Sequence, residues 1–219
     1  MFESKLKNVR NIIFDMDGTL VDTSKITVEA CQRTAKEFSL PVRKYNEIVG
    51  LIGYADPEFF FRMYPKVNKN YIISFGEVVA KREREYMIAH KEEILFDGVK
   101  ELLINLKKNG YYLSIASTGS LDHVNTALKA SNIYNIFNDI KCNEAIKIEM
   151  VKKIINNGPE GEWLILGDRR KDFEAGNSNN IITVGAEYGF GNEEEMKLFD
   201  LTIDSPKKLF ELIEDTVIC

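Results

Sequence analysis

Long apolar runs are missing from this chain. Its most apolar stretches, such as residues 11–14 and 163–166, fall far short of the ~18 consecutive apolar residues that a membrane-spanning helix needs. The first residues form no apolar signal-peptide core, so a cytoplasmic location is expected. Cysteine is scarce: Cys31, Cys142 and Cys219 are odd in number, widely scattered and without CxxC spacing. That pattern excludes a disulfide framework and reads as idle thiols in a reducing compartment. Histidine is scarcer still, and neither His90 nor His123 has a partner at triad or metal-binding spacing, so catalysis is assigned to neither. Excess charge is small: 29 basic against 34 acidic residues leave −5, which gives no reason to expect a nucleic-acid or membrane partner. Internal repeats and low-complexity tracts are absent as well.

What is present suits an ordinary globular enzyme. At 219 residues the chain can bury a real core without a metal or disulfide staple. Several short segments are nearly all apolar and end in Asp, Ser or Gly: 9–14 before Asp15, 112–116 before Ser117, 163–166 before Gly167 and Asp168, and 181–184 before Gly185. Uniformly apolar runs suit parallel strands covered on both faces. Between them lie stretches with helical spacing, at 98–109 (Val99, Leu102, Leu103, Leu106, then Gly110), 121–130, 148–157 and 205–217. Strand and helix alternate from residue 93 onward, which predicts a doubly wound, Rossmann-like α/β fold with a parallel sheet. Residues 23–92 break the rhythm and read almost wholly helical, with Thr23 or Ser24 as a cap for a helix to about Phe38 and one long helix over 70–93. The expected organisation is a core domain of residues 1–22 and 93–219 with an all-helical cap domain, 23–92, inserted after the first strand. The charge run 81–85 reads as a solvated helix face, and Phe59, Phe60, Phe61 and Tyr64 read as cap core.

Ligands of open α/β sheets sit beyond the carboxyl ends of the strands. The polar residues at three of those ends are Asp15 with Asp17, Ser117 with Thr118, and Asp168 with Asp172. Two carboxylates two residues apart on a turn leaving a strand can both enter one cleft, and Gly18 lets the backbone turn tightly there.

The string Asp15-Met16-Asp17-Gly18-Thr19-Leu20 resembles the first motif of the haloacid dehalogenase-like hydrolases, DxDGT at the end of the first strand. Three further motifs of that family follow in order: Ser117 closing a hydrophobic strand, Lys147 opening a later helix, and Gly167-Asp168-Arg169-Arg170-Lys171-Asp172 as GDxxxD. Lys141 and Lys152 are alternatives for the lysine, because the family often has Lys-Pro where this chain has Lys147-Ile148. The resemblance implies a Mg²⁺ site built from Asp15, Asp168, the backbone carbonyl of Asp17, and Asp172, which would bind the metal's waters or hold Lys147. It implies Asp15 as nucleophile, Asp17 as general acid and base, and Ser117, Lys147, Gly18, Thr19, Thr118 and Gly119 around the phosphoryl group.

Differences among branches of the family narrow the chemistry. Dehalogenases of this fold lack the second aspartate, and Asp17 is present. Similar sugar phosphomutases carry a cap histidine at the position of Thr27. Phosphonate hydrolases use a cap lysine, for which Lys25 and Lys36 qualify by residue type alone, and transport ATPases need membrane spans. Arg169 and Arg170 read as surface side chains, and Trp163 as packing. The GAEYGFG string at 185–191 resembles the phosphoglycolate phosphatase branch. The expected partner is therefore a small phosphate ester of phosphoglycolate type. The alternatives are a β-phosphoglucomutase-like mutase, or an idle binding protein that keeps the fold. Selectivity is placed around Leu51-Ile52-Gly53-Tyr54.

Overall fold

The run of 9–14 forms the first strand, β1 (Val9–Phe14), and sits at the centre of a six-stranded parallel sheet in a computed structural model that describes residues 6–214. Its neighbours are β2 (Tyr112–Ser117) on one side and β4 (Glu162–Gly167) on the other. Beyond β2 lies β3 (Asp139–Cys142), and beyond β4 lie β5 (Ile182–Ala186) and β6 (Leu201–Ile203), giving the order β3-β2-β1-β4-β5-β6. That order reverses between β1 and β4, the switch point where doubly wound sheets bind ligands.

Alternation along β1 explains why its second half, Ile12-Ile13-Phe14, is apolar without a break. Ile12 and Phe14 face one layer, with Leu113 and Ile115 of β2 and Leu164 and Leu166 of β4. That layer is closed by helix α5 (Val99–Lys108) through Leu102, Leu103 and Leu106, by α6 (Leu121–Ala130), and by the C-terminal helix of the described residues, α9 (Lys207–Glu214). Ile13 and Ile165 face the other way, onto Met150, Val151 and Ile154 of α7 (Lys147–Asn157) and Ala175 of α8 (Arg170–Ser178). A strand buried on both faces has no polar side to show. The helix read over 205–217 is observed as Lys207–Glu214, and its last residues lie outside those described.

Between β1 and β2 come α1 (Ser24–Glu37), α2 (Tyr45–Val49), α3 (Glu58–Met63) and the long α4 (Lys69–His90), which continues into a 3₁₀ turn at Lys91–Ile94. These helices carry a hydrophobic cluster of their own, in which Phe75 meets Phe60 and Tyr64 edge-on at 5.7 and 5.4 Å. Gly76 lets α4 approach Phe60, since a Cβ there would come within 2.7 Å of that ring. The start of α1 differs from expectation. Thr23 stands at the N-cap position, but its side chain makes no capping hydrogen bond; the Asp22 carboxylate accepts from the Ser24 N–H (3.2 Å) and hydroxyl (2.5 Å). Among the described residues no helix is long and apolar enough to cross a membrane.

Candidate active site

Asp15 is fixed by the sheet itself. It directly follows β1, and its N–H donates to the carbonyl of Leu166 in β4 (2.9 Å), which ties it to the neighbouring strand. The chain then turns back sharply: Leu20 and Val21 both donate to the carbonyl of Met16, and Gly18 adopts φ +88°. A side chain at Gly18 would collide with the Asp168 carboxylate and the ring of Phe190, so the turn requires glycine for both its conformation and its space.

Three carboxylates converge beyond β1 and β4. Asp15, Asp168 and Asp172 are all buried, and an oxygen of each lies within 4.8 Å of the others. Lys147, the first residue of α7, donates to Asp15 Oδ1 and, at 2.5 Å, to Asp172 Oδ1. Lys141 instead pairs with Asp139 at 3.0 Å and Lys152 is exposed, so Lys147 is the lysine that reaches this cluster. Asp172 also accepts from the Arg169 N–H (2.9 Å) and Asp168 from the Phe190 N–H (2.8 Å), so two of the carboxylates are held by backbone donors.

Burial pushes the Asp15 carboxyl well above the usual carboxylate range; Lys147 pulls it down, and Asp172 and Asp168 push it up again. Asp168 is pushed up to about 7, first by burial and then by Asp172, against the Phe190 N–H that lowers it. Burial would lower the Lys147 ammonium, but Asp15 and Asp172 outweigh it and hold the group charged. One ammonium set against three crowded carboxylates leaves the cluster short of positive charge. A set of hard oxygen donors with that deficit fits a divalent cation such as Mg²⁺.

The remaining expected residues divide. Asp17, Ser117, Thr118 and Gly119 line a cleft between the sheet end and the helical segment. Ser117 Oγ accepts from the Gly119 N–H (3.1 Å), and the Thr118 hydroxyl donates to the carbonyl of Gly53 (3.2 Å). Thr19 and Gly18 do not line this cleft. The Thr19 side chain is fully buried and its hydroxyl donates to Asp168 Oδ1 (3.3 Å), so it orients a carboxylate where contact with phosphate was expected.

Three residues read as bystanders lie in the cleft. His123, on α6, contacts Asp17 Oδ1 through Nε2 at 2.9 Å. Burial alone would lower its imidazole, but the nearby Asp17, Glu83 and Asp56 carboxylates push it up to about 9. Glu83, inside the supposed solvated charge run, turns inward on α4 and accepts from the Thr27 hydroxyl at 2.6 Å. Arg169 leaves the surface to donate to the carbonyls of Phe190 (2.9 Å) and Gly50 (3.2 Å). With Lys171, which donates to the carbonyl of Gly53 at 3.0 Å and sits over the Tyr54 ring, it ties the loop 50–54 to the core. Phe59 and Phe60 belong to the hydrophobic cluster of the helices between β1 and β2 and also reach the cleft, and Trp163 packs edge-on against Tyr112 as expected. His90 stacks on Tyr86, away from the cleft.

Comparison with known proteins agrees with this geometry. A pyrophosphatase, PpaX, of Listeria innocua is 26% identical over 94% of this chain and 97% of its own length. An N-acetylmuramic acid 6-phosphate phosphatase of Pseudomonas putida is 24% identical over 96% and 98%. The crystal structure of a predicted phosphoglycolate phosphatase from Haemophilus somnus superposes with a TM-score of 0.83 at 21% identity, covering 93% of this chain and 97% of that one, a likeness of fold. The family profile of haloacid dehalogenase-like hydrolases matches residues 12–186, a span that holds every carboxylate of the cluster, and the chain belongs to that family.

Proposed function

We propose that this protein is a Mg²⁺-dependent phosphatase that hydrolyses a small phosphate ester, of phosphoglycolate type, through a phosphorylated Asp15. The observation that carries the reading is the buried convergence of Asp15, Asp168 and Asp172 on Lys147 at the switch point of the sheet. The names borne by relatives, all phosphatases or pyrophosphatases among those given above, point the same way.

Asp15 and Asp168 would hold the metal through carboxylate oxygens and Asp17 through its backbone carbonyl, while Asp172 holds Lys147. When bound, Mg²⁺ supplies the positive charge that lets a carboxylate approach a phosphate anion. An oxygen of Asp15 then forms a bond to phosphorus as the bond to the ester oxygen breaks, and Asp17 gives its proton to the departing alkoxide. In the second step Asp17 takes a proton from water, whose oxygen attacks phosphorus and releases Asp15 and inorganic phosphate. Lys147 and Ser117 balance and hold the phosphoryl oxygens. Asp17 keeps its side chain for proton transfer, consistent with its bond to His123 on the cleft side.

The cleft's ceiling is drawn from residues 23–92, where Ile52, Tyr54, Phe59 and Phe60 leave room for a small alcohol rather than a macromolecule. Thr27, where similar mutases carry histidine, is bound to Glu83, which favours hydrolysis over phosphoryl transfer between sugars. The test is hydrolysis of 4-nitrophenyl phosphate with Mg²⁺, with and without chelator. Turnover that chelator abolishes, and a loss of at least about 10³-fold in Asp15→Asn, are expected for a covalent nucleophile that has no substitute nearby. Activity without metal, or near-normal activity in Asp15→Asn, would contradict the proposal.

A further inference from the structure

We propose that His123 is a positioning residue for the proton donor: it holds the Asp17 carboxylate in the orientation that protonates the leaving alkoxide, and is itself held by the helical cap. The inference rests on the phosphatase reading above and adds a residue to it.

The geometry runs across three elements. Asp17 lies on the turn after β1, His123 in the first turn of α6, and Glu83 on α4 of the cap. The imidazole stands between two carboxylates, with Nε2 2.9 Å from Asp17 Oδ1 and Nδ1 3.9 Å from Glu83 Oε2. The other oxygen of Glu83 accepts from the Thr27 hydroxyl of α1 at 2.6 Å, so the acid that faces the ring is itself fixed. All three ionisable side chains are 15% exposed or less, and all line the cleft. The ring's own helix is held in place as well: Ser120 accepts from the His123 N–H (3.3 Å) and Ser117 from the Gly119 N–H.

A carboxylate that must deliver a proton along one direction loses effectiveness when it can rotate about its χ angles. A ring donor bonded through Nε2 and facing the Glu83 carboxylate with Nδ1 restricts that freedom for Asp17. Asp17 needs such a partner because its side chain stays off the metal, and none of the other hydrogen bonds and ion pairs described around the cleft ends on its carboxylate. The cap side of the cleft thus contributes more than shape. Through Thr27 and Glu83 it fixes the ring that fixes the acid, so the acid is aligned when α1 and α4 are seated over the sheet.

The experiment separates this role from general damage by varying how much the leaving group needs a proton. 4-Nitrophenyl phosphate expels a stable phenolate, whereas benzyl phosphate, of similar size, expels a strongly basic alkoxide. The quantity read is the ratio of kcat/KM for 4-nitrophenyl over benzyl phosphate, which reports the step in which Asp15 is phosphorylated. In His123→Ala that ratio is expected to rise at least about tenfold, a part of the ~10²–10⁴ that general acid–base catalysis supplies. In His123→Gln, whose amide nitrogen can replace Nε2, the ratio returns most of the way to that of the unaltered protein. An unchanged ratio in His123→Ala, whatever the absolute loss, overturns the proposal, as does a ratio in His123→Gln as high as in His123→Ala. Absence of metal-dependent turnover of both esters by the unaltered protein is a different result, and overturns the phosphatase reading itself.

Discussion

Gly18 shows how tightly single residues constrain this site. Its φ of +88° and the collision that a Cβ would make with Asp168 mean that Gly18→Ala must move either the turn or the carboxylate. A displacement near 1 Å costs on the order of 10²-fold in a preorganised site, so kcat is expected to fall by about that factor while the circular dichroism spectrum stays that of the folded protein. Full activity in Gly18→Ala would show that the close approach to Asp168 is not needed. At this scale the sequence was informative wherever chemistry-bearing residues cluster locally: Asp15 and Asp17 share one turn, and Asp168 and Asp172 share another. In the sequence alone His123 reads as a residue without a partner, because Asp17 lies 106 positions away along the chain and only the fold brings them together. Glu83 was hidden by its neighbours. Lys81, Arg82, Arg84 and Glu85 make the segment look solvated, yet one position in a helical turn of such a run can still face inward. Thr19 was placed on the wrong partner, since the motif string shows that a hydroxyl is present without showing which way it points.

Elements were legible in proportion to their burial. β1, β2, β4 and β5 are covered on both faces and read as apolar runs. The edge strands β3 (Asp139–Cys142) and β6 (Leu201–Ile203) are three or four residues long and only partly buried, so no run or alternation marks them. The short helices Tyr45–Val49 and Glu58–Met63 are likewise below the length at which periodicity shows. The stability of the helical segment 23–92 rests on a few large side chains, Phe75 above all, which is fully buried and touches Phe38, Phe60 and Tyr64. Phe75→Ala is expected to destabilise the protein by about 3–5 kcal/mol, read from denaturant unfolding followed by far-ultraviolet circular dichroism. A loss under about 1 kcal/mol, within the range of ordinary substitutions, would mean that this ring is not the keystone of the cluster.

Across the whole molecule, two layers of helix hold a parallel sheet whose switch point carries an excess of buried negative charge, and the segment 23–92 lies over the cleft at that end. The charge excess has a consequence that needs no substrate. A divalent cation that binds the folded protein alone should raise its stability by about 2.7 kcal/mol at a concentration 100 times its Kd, visible as an upward shift in Tm with Mg²⁺. Asp168→Asn should abolish that shift, and an equal shift in this variant would place the metal elsewhere. The central claim, that Asp15 itself takes the phosphoryl group, is tested most directly by acid-quenching the enzyme during turnover of 4-nitrophenyl phosphate with Mg²⁺ and locating covalent phosphate by peptide mass. The account predicts phosphate on the peptide that contains Asp15 and none in Asp15→Asn; phosphate on another residue, or sustained turnover by Asp15→Asn, would contradict it.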